Sequence, residues 1–340
     1  MDNKRLILAV AGSGKTYYIT QQLNEENRFL LITYTISGTN NLINEIVKRF
    51  GYLPNNIKVL NYFSYLYTFC YKPYLSDEIN EKGISWKYPK SIYDHSVITK
   101  SQYLYHNRLS KLITDKIIQN VKKRTEKYFD FLLIDEVQDF AGNDYNFLLH
   151  LFSGNFNLLL VGDFFQHTFD TSRDKQTNKS LHHDIETYID RFNKGGITID
   201  TETLLNSRRC SKTTCEFIKT RIGIDIKSEY DFETQCKLIT NQNEISNLLD
   251  DDKIVKLFYQ KHYDYQCNSD NWGNCKGLTF DSVCVIINDE IFKQINGSEL
   301  INFKAQTTKN KFYVACSRAK NNLYFIHDKQ IKKQKKLFST

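Results

Sequence analysis

The sequence predicts an α/β fold with parallel β-sheets, and three observations support this class. Short apolar runs of strand length alternate with amphipathic stretches in the first half of the chain. One of these runs ends in a glycine-rich turn, and two others end in acidic residues. Parallel sheets form where strands alternate with helices, and they place such groups at the carboxyl ends of their strands.

The first apolar run, residues 6–11, leads into Gly-Ser-Gly-Lys-Thr. A strand, a turn of small residues and a helix N-terminus in this order predict a phosphate-binding loop. Lys15 would reach the β- and γ-phosphates of ATP, and the Thr16 hydroxyl would sit on Mg²⁺. A glycine-rich turn before a buried helix is the alternative. The candidate residues of the loop are Ala11, Gly12, Ser13, Gly14, Lys15 and Thr16.

Further strands and helices follow this loop. We expect a helix over 14–24, a strand over 29–35, a helix over 39–50 and a strand over 57–60. Residues 71–127 are rich in Tyr and Lys, and their irregular pattern predicts an insertion with a helix near 108–124. A functionally silent surface segment is the alternative for this stretch.

Two later strands end in polar side chains. The run 128–134 is followed by Asp135 and Glu136, which in a nucleotidase would hold Mg²⁺ and polarise the attacking water. The run 157–162 leads to Gln166, which is placed to sense a γ-phosphate. Taken singly, an acidic pair can cap a helix and a Gly-Asp sequence can be a simple turn. Together with the phosphate-binding loop they predict a nucleotide site.

Composition bounds the class of protein. A length of 340 residues indicates two domains or one large domain, and the net charge of +7 favours a polyanionic partner, although a solvated lysine-rich surface gives the same number. The 8 cysteines include no C-x-x-C pair, which argues against a zinc or iron–sulfur site. No apolar run is long enough to cross a membrane. We therefore expect a cytoplasmic protein with no membrane partner.

The three strand-end segments resemble motifs I, II and III of superfamily 1 helicases of the UvrD/Rep/PcrA type. The patterns of that family are A-x-A-G-S-G-K-T, D-E-x-Q-D and V-G-D-x-x-Q. Three later segments resemble its motifs IV, V and VI: Ser207-Arg208-Arg209-Cys210, Lys276-Gly277-Leu278-Thr279-Phe280-Asp281 and Val314-Ala315-Cys316-Ser317-Arg318-Ala319-Lys320. The six motifs occur in the family's order and cover nearly the whole chain.

The resemblance implies two RecA-like P-loop NTPase domains with ATP and Mg²⁺ bound between them. It implies that Thr16 and Asp135 hold the metal and that Glu136 activates the water. Gln166 would couple the γ-phosphate to movement.

The resemblance also assigns residues of motifs IV to VI. Arg209 and Arg318 match the two arginines that reach the phosphates from the second domain, where a guanidinium can contribute on the order of 10³–10⁵ in rate. The Tyr that stacks on the base in the family is Arg208 here, and Tyr17 is a second stacking candidate. Gly277 of motif V is a further nucleotide-binding candidate. The family carries an upstream Gln motif that reads adenine, whereas only five residues precede the first predicted strand here, so base selectivity is open.

The predicted domains are a first RecA-like domain over 1–172 with the insertion at 71–127, a linker over 173–199, and a second RecA-like domain over 200–340 with a basic tail. The gap between motifs IV and V is too short for the family's large accessory domain. We therefore predict a fold close to a bare motor, with a small helical insertion and with the large accessory domains reduced or absent.

Nucleic-acid contacts are predicted from the same resemblance. In the family, strand ends after motif I and aromatic residues after motif III line a single-strand groove, where rings stack on bases regardless of sequence. With 22 Tyr and 23 Phe in the chain, any single aromatic residue can equally belong to the core. The candidates are Thr33, Tyr34, Tyr62, Phe63 and Phe169.

The expected function is a nucleic-acid-stimulated ATPase that translocates 3′ to 5′ on single-stranded DNA, without processive unwinding by this chain alone. The sequence does not distinguish DNA from RNA. Residues 271–281 look similar to compact UvrD-like proteins of Gabija-like phage-defence systems, so an OLD-family nuclease partner is a hypothesis by analogy. The alternative is a nucleotide-sensing subunit that controls a partner nuclease. A metabolic P-loop kinase does not account for motifs IV to VI.

Overall fold

The computed structural model describes residues 4–91, 94–168 and 177–331. The chain forms two compact units. Among the described residues, the first unit comprises 4–8, 15–162 and 177–200, and the second comprises 9–14, 163–168 and 201–331. The phosphate-binding turn, residues 9–14, and the described segment 163–168 therefore belong to the second unit.

The first unit consists of a parallel sheet, a small second ribbon and helices. Its strands are β1 (Lys4–Leu8), β2 (Phe29–Thr33), β3 (Ile57–Asn61), β4 (Gly83–Ser85), β5 (Tyr103–Tyr105), β6 (Phe131–Ile134), β7 (Asn157–Gly162) and β8 (Thr198–Asp200). Its helices are α1 (Lys15–Gln21), α2 (Ile36–Phe50), α3 (Tyr62–Ser64), α4 (Lys72–Ile79), α5 (Leu109–Tyr128), α6 (Gly142–Leu151) and α7 (Ile185–Lys194).

The main sheet has the strand order β3-β2-β6-β7-β1-β8, and all its strands are parallel. Every residue of β2 is buried, as expected for a strand covered on both faces. The register pairs Leu8 of β1 with Gly162 of β7, and Ile134 of β6 with Leu160 of β7. The carboxyl ends of β1, β6 and β7 therefore lie at one edge of the sheet, where the motif residues follow.

The insertion is built from helices and one two-stranded ribbon. A continuous helical segment runs from α3 through a π-helical turn at Tyr65–Tyr71 into α4. Strands β4 and β5 pair with each other, and α5 contains the helix predicted near 108–124. Its buried residues recur at helical spacing, so α5 packs along one face.

The predicted linker 173–199 is folded where the structure describes it. Asp184 caps α7, because its side chain accepts a hydrogen bond from the backbone N–H of Thr187. Strand β8 then adds to the edge of the main sheet by pairing with β1.

The second unit contains the parallel sheet β11-β15-β14-β12-β13 and a short pair formed by β9 and β10. Its strands are β9 (Asn206–Ser207), β10 (Lys227–Ser228), β11 (Cys236–Ile239), β12 (Ile254–Phe258), β13 (Ser269–Asn271), β14 (Ser282–Ile287) and β15 (Leu323–His327). Its helices are α8 (Lys212–Phe217), α9 (Gln242–Asp250), α10 (Asp289–Phe292) and α11 (Gln306–Cys316). Fully buried Trp272 and Phe312 belong to its core.

The two parallel sheets confirm the predicted fold class, α/β with two RecA-like domains. The residues that the structure describes include no helix long and apolar enough to cross a membrane.

We predict that Gly162→Ala lowers the free energy of unfolding by about 1–3 kcal/mol, the usual cost of an extra methyl group in a packed core. A Cβ atom at this position would contact Gln138 Oε1 and lie 2.8 Å from Val137 Cγ1. Urea denaturation measures the loss. Adding Gln138→Ala to the Gly162→Ala variant removes the nearest atom. The Gly162→Ala substitution should then cost less stability than it does in the wild type, with Gln138→Ala alone as the reference. Additive effects of the two substitutions would contradict this explanation.

Candidate functional site

The turn between β1 and α1 needs glycine at two positions. Gly12 and Gly14 have φ values of +73° and +84°, in the left-handed region that glycine enters at little cost. A Cβ atom at Gly12 would also lie 2.6 Å from Arg209 Cβ. Between these glycines the buried Ser13 hydroxyl has no hydrogen-bond partner in the described structure. A turn of this shape, with a spare buried hydroxyl, fits an incoming phosphate oxygen.

Motifs I and II meet within the first unit. Lys15 Nζ lies 3.9 Å from Glu136 Oε1, with the two side chains 10% and 26% exposed. Asp135 is buried, and one of its carboxylate oxygens accepts the backbone N–H of Glu136 at 2.9 Å. The sheet register explains this meeting, because β1 and β6 end at the same edge.

Glu136 is held in an unusual backbone conformation. Its φ is +55°, which is uncommon for a residue with a side chain and often marks a functional position. Gln138 donates a hydrogen bond from Nε2 to Glu136 Oε2, which fixes the carboxylate. The side chain that would activate water is therefore positioned by both its backbone and its neighbour.

The oxygen donors near this carboxylate suit magnesium. Mg²⁺ prefers hard oxygen ligands and usually takes one or two protein groups beside phosphates and water. The Thr16 hydroxyl and the Asp135 carboxylate are such groups. Among the described residues there is no cluster of three or more His, Cys, Asp or Glu side chains that could hold a metal without the nucleotide.

The two arginines of motif IV, Arg208 and Arg209, lie next to the phosphate-binding turn and to motif VI. The backbone N–H of Arg208 donates to the carbonyl oxygen of Gly12 at 2.8 Å, and a Cβ atom at Gly14 would lie 3.6 Å from Arg208 Nη1. Arg209 donates from Nη1 to the carbonyl oxygen of Ser317 at 3.2 Å. Motif IV thus contacts both the phosphate-binding turn and motif VI.

Arg318 is only 1% exposed. Its Nε donates to the Val314 carbonyl oxygen at 3.0 Å, and its Nη1 donates to the Leu278 carbonyl oxygen at 3.2 Å, beside the exposed Gly277. In this structure Arg318 therefore joins motifs V and VI. These two bonds use two of the five N–H donors of the guanidinium.

A buried hydrogen-bond chain connects Gln166 to the phosphate-binding turn. Gln166 Nε2 donates to Asp163 Oδ2 at 2.7 Å, and the Tyr313 hydroxyl donates to the same oxygen at 3.0 Å. The Tyr313 oxygen accepts the backbone N–H of Ala11 at 2.8 Å. Burial raises the pKa of Tyr313 well above its usual value, so its hydroxyl stays protonated. One turn earlier on α11, Asn310 Nδ2 donates to the His167 carbonyl oxygen at 2.8 Å.

Sequence reasoning missed Tyr313 and Asp163. The signal for Asp163 was present, because it is the Asp of the V-G-D-x-x-Q pattern, but only Gln166 was singled out. Tyr313 precedes motif VI directly and carried no separate signal. Its role depends on contacts across more than 300 residues of sequence, which no local pattern encodes.

The predicted nucleic-acid residues divide by exposure. Thr33 and Tyr62 are 1% and 4% exposed, and Tyr62 packs edge-on against Phe140 with ring centroids 4.6 Å apart. They offer no open surface to a base in this structure, since they complete the core beside β2. Tyr34 is half-buried and stacks on Tyr62 at 5.5 Å.

The remaining two candidates differ from these. Phe63 is half-buried and borders a surface aromatic cluster, with its ring centroid 4.7 Å from that of Trp86. Phe169 lies outside the described residues. Tyr17, the stacking candidate for the nucleotide base, is 51% exposed.

Comparison with known proteins gives a family and a fold. The family model "Viral superfamily 1 RNA helicase core domain" matches residues 93–327, which begin after the phosphate-binding loop. The structure is similar to an arterivirus nonstructural protein 10 helicase in complex with DNA, with a TM-score of 0.52, 14% identity and coverage of 96% of this chain and 62% of that one.

A second arterivirus nonstructural protein 10 structure has a TM-score of 0.50 and 15% identity, with coverage of 98% of this chain and 62% of that one. At these identities the likeness concerns the fold alone. The chain spans 62% of the length of both helicases. No curated protein matches its sequence.

We predict that Tyr62→Phe lowers the free energy of unfolding by about 1–3 kcal/mol, because it removes a buried hydrogen bond to a carboxylate. The Tyr62 hydroxyl donates to Asp144 Oδ1 at 3.1 Å, and the half-buried Tyr34 hydroxyl donates to Oδ2 at 3.2 Å. Urea denaturation of both phenylalanine variants is the measurement. The loss should be larger for Tyr62→Phe, and equal losses would contradict its assignment to the core.

Proposed function

Because the chain belongs to the family of viral superfamily 1 RNA helicase core domains, we propose that it is a nucleic-acid-dependent ATPase that uses ATP with Mg²⁺. The observation that carries this proposal is the meeting of Lys15 and Glu136 in the first unit. It brings a phosphate-binding lysine and a water-activating carboxylate within reach of one nucleotide. A structural turn has no need of such a pair.

The proposed roles follow from the chemistry of phosphoryl transfer. Lys15 binds the β- and γ-phosphates, and Thr16 with Asp135 holds Mg²⁺, which neutralises the phosphate charge when it is bound. Glu136 accepts the proton of the attacking water. Its partner Lys15 balances its charge until the phosphates arrive, which leaves the carboxylate free to act as the base.

The resemblance also supports nucleotide-dependent roles for residues of motifs III to VI. Gln166 couples the γ-phosphate to movement, and Arg209 and Arg318 stabilise the charge on the transferred phosphoryl group. Arg208 stacks on the base with Tyr17 as the second candidate, and Gly277 contributes backbone near the nucleotide. The backbone N–H groups that follow Ala11 in the turn receive the phosphates, supported by its two left-handed glycines, whereas the N–H of Ala11 itself donates to Tyr313.

The proposed partner is a single nucleic-acid strand. The resemblance to UvrD-type motifs favours single-stranded DNA and 3′-to-5′ translocation without processive unwinding by this chain alone. The description of the matched family names RNA helicases, and one arterivirus helicase of similar fold was solved in complex with DNA. RNA is therefore the second strand to test.

One observation favours a second candidate function. Arg318 is 1% exposed and donates to two backbone oxygens, which leaves little of its guanidinium accessible to a phosphate. That arrangement suits a nucleotide-sensing subunit with slow turnover. Such a subunit would control a partner nuclease, for example an OLD-family enzyme in a Gabija-like phage-defence system, as the sequence resemblance suggested.

We predict that a single-stranded oligonucleotide stimulates ATP hydrolysis and that Glu136→Gln lowers the stimulated kcat by at least about 100-fold, the contribution of a positioned general base. A coupled phosphate-release assay with and without DNA or RNA oligonucleotides gives the rate. Glu186→Gln, an exposed change in α7, is the matched control and should behave as wild type.

The outcomes separate the two functions. A motor is stimulated by a strand, whereas a sensor hydrolyses slowly with or without it. If Glu136→Gln retains the wild-type rate, the assignment of Glu136 as the base is wrong.

We further predict that Tyr313→Phe lowers the stimulated kcat about tenfold while KM for ATP changes less than about threefold. Loss of the hydroxyl removes two buried hydrogen bonds, each worth about 1 kcal/mol: it loosens Asp163 and with it Gln166, and it removes the acceptor of the Ala11 N–H but no contact of Lys15. Steady-state kinetics checks the split. Tyr324→Phe removes an exposed hydroxyl bond to Gln235 in the same unit and is the control. A purely structural role for Tyr313 would lower stability without changing kcat.

A further inference from the structure

Trp86 is 62% exposed, directly after strand β4 in the insertion. The chain has only two tryptophans, and the other, Trp272, is 1% exposed with its indole N–H bonded to the Leu257 carbonyl oxygen. An indole ring left largely in water loses the hydrophobic stabilisation that burial would give it. Contiguous exposed apolar patches, rather than single exposed side chains, mark binding surfaces, so the neighbours of Trp86 decide what its exposure means.

Trp86 belongs to a series of neighbouring rings. Its centroid lies 4.7 Å from Phe63 and 5.3 Å from His106, and Phe63 stacks on Tyr67 at 5.9 Å with 19° between the planes. We call this set the aromatic ladder: Tyr88, His106, Trp86, Phe63 and Tyr67. The neighbours support the indole from inside, which fixes its orientation while most of its surface remains open.

The ladder lies in a basic stretch of the chain. Lys82, Lys87 and Lys90 are exposed, and the sequence from 82 to 93 contains no Asp or Glu. Lys72 Nζ lies 5.0 Å from the centre of the Tyr67 ring. The nearby carboxylate of Glu81 accepts hydrogen bonds from the hydroxyls of Tyr67 and Tyr71, so its charge is directed into the protein.

We propose that the aromatic ladder is a base-stacking site for single-stranded nucleic acid, with the lysines of 82–90 contacting the phosphates. This inference rests on the proposed function and adds a strand-binding surface to it. Alternating aromatic and basic side chains match a strand that alternates bases with phosphates, and stacking tolerates any base. A protein partner would match the rings but leaves the run of like charges unpaired.

The ladder differs from the strand surface predicted from the sequence. Phe63 belongs to both sets, whereas its neighbour Tyr62 is buried in the core. The irregular pattern of the insertion concealed Trp86. Only the packing of α3 against the end of β4 brings Trp86 next to Phe63.

Trp86 can report on its own binding site. Because Trp272 is buried, quenching of tryptophan fluorescence by unlabelled oligo(dT) or oligo(U) reports on Trp86. We expect quenching in the full chain and none in Trp86→Phe. In fluorescence anisotropy with a labelled oligonucleotide, Trp86→Ala should weaken binding about 5- to 100-fold, the range for one lost base stack.

Tyr263→Ala is the matched control, since Tyr263 is 59% exposed and lies outside the ladder. Its affinity for the oligonucleotide should equal that of the wild type. A charge-reversal variant, Lys87→Glu, should weaken binding and reduce its dependence on salt. Circular dichroism of each variant checks the fold.

The results separate this inference from the proposed function. If oligonucleotides bind and stimulate ATP hydrolysis but Trp86→Ala binds as wild type, the ladder is not a strand site and the proposed function stands. If no strand binds or stimulates the wild type, both are overturned. A dimer that sediments without nucleic acid and is lost in Trp86→Ala would replace the strand with a second copy of the chain.

Discussion

The parallel register of β1, β6 and β7 is the constraint on which the candidate site depends. Three strands that are distant in sequence end at the same sheet edge, so the residues that follow them are neighbours without any further device. A shift of one residue in any of these strands would exchange the side chains on its two faces and displace its terminal residues by about 3.3 Å. Their apolar composition fixes the register, since β1, β6 and β7 are largely buried.

Much of the fold was predictable because strand-length apolar runs and their polar ends are local features. The strand predicted over 57–60 corresponds to β3, and the helix predicted near 108–124 corresponds to α5. The predicted helicase superfamily is confirmed, because the family model of the viral superfamily 1 RNA helicase core domain matches residues 93–327. The structure of the stretch before residue 200 was harder to predict from the sequence, since β8 has three residues and joins the sheet only through its pairing with β1.

Site residues were predictable from the sequence where a motif identifies them, and less so where burial determines the role of the side chain. Tyr62 follows a strand end as an exposed aromatic would, yet its hydroxyl and ring are both used inside the first unit. Arg318 lies in its motif, but its engagement with backbone oxygens depends on the fold around motif V. Tyr313 joins a helix of the second unit to Ala11 and Asp163 through a single oxygen atom. Such roles are set by distances that sequence spacing does not contain.

The left-handed backbone at Glu136 has a consequence for the evolution of this loop. Glycine adopts that conformation without strain, so a Glu136→Gly change would relax the turn while removing the carboxylate. Under the role proposed for Glu136, stability and activity are therefore opposed at this one position, and drift toward a more stable chain leads away from the proposed chemistry.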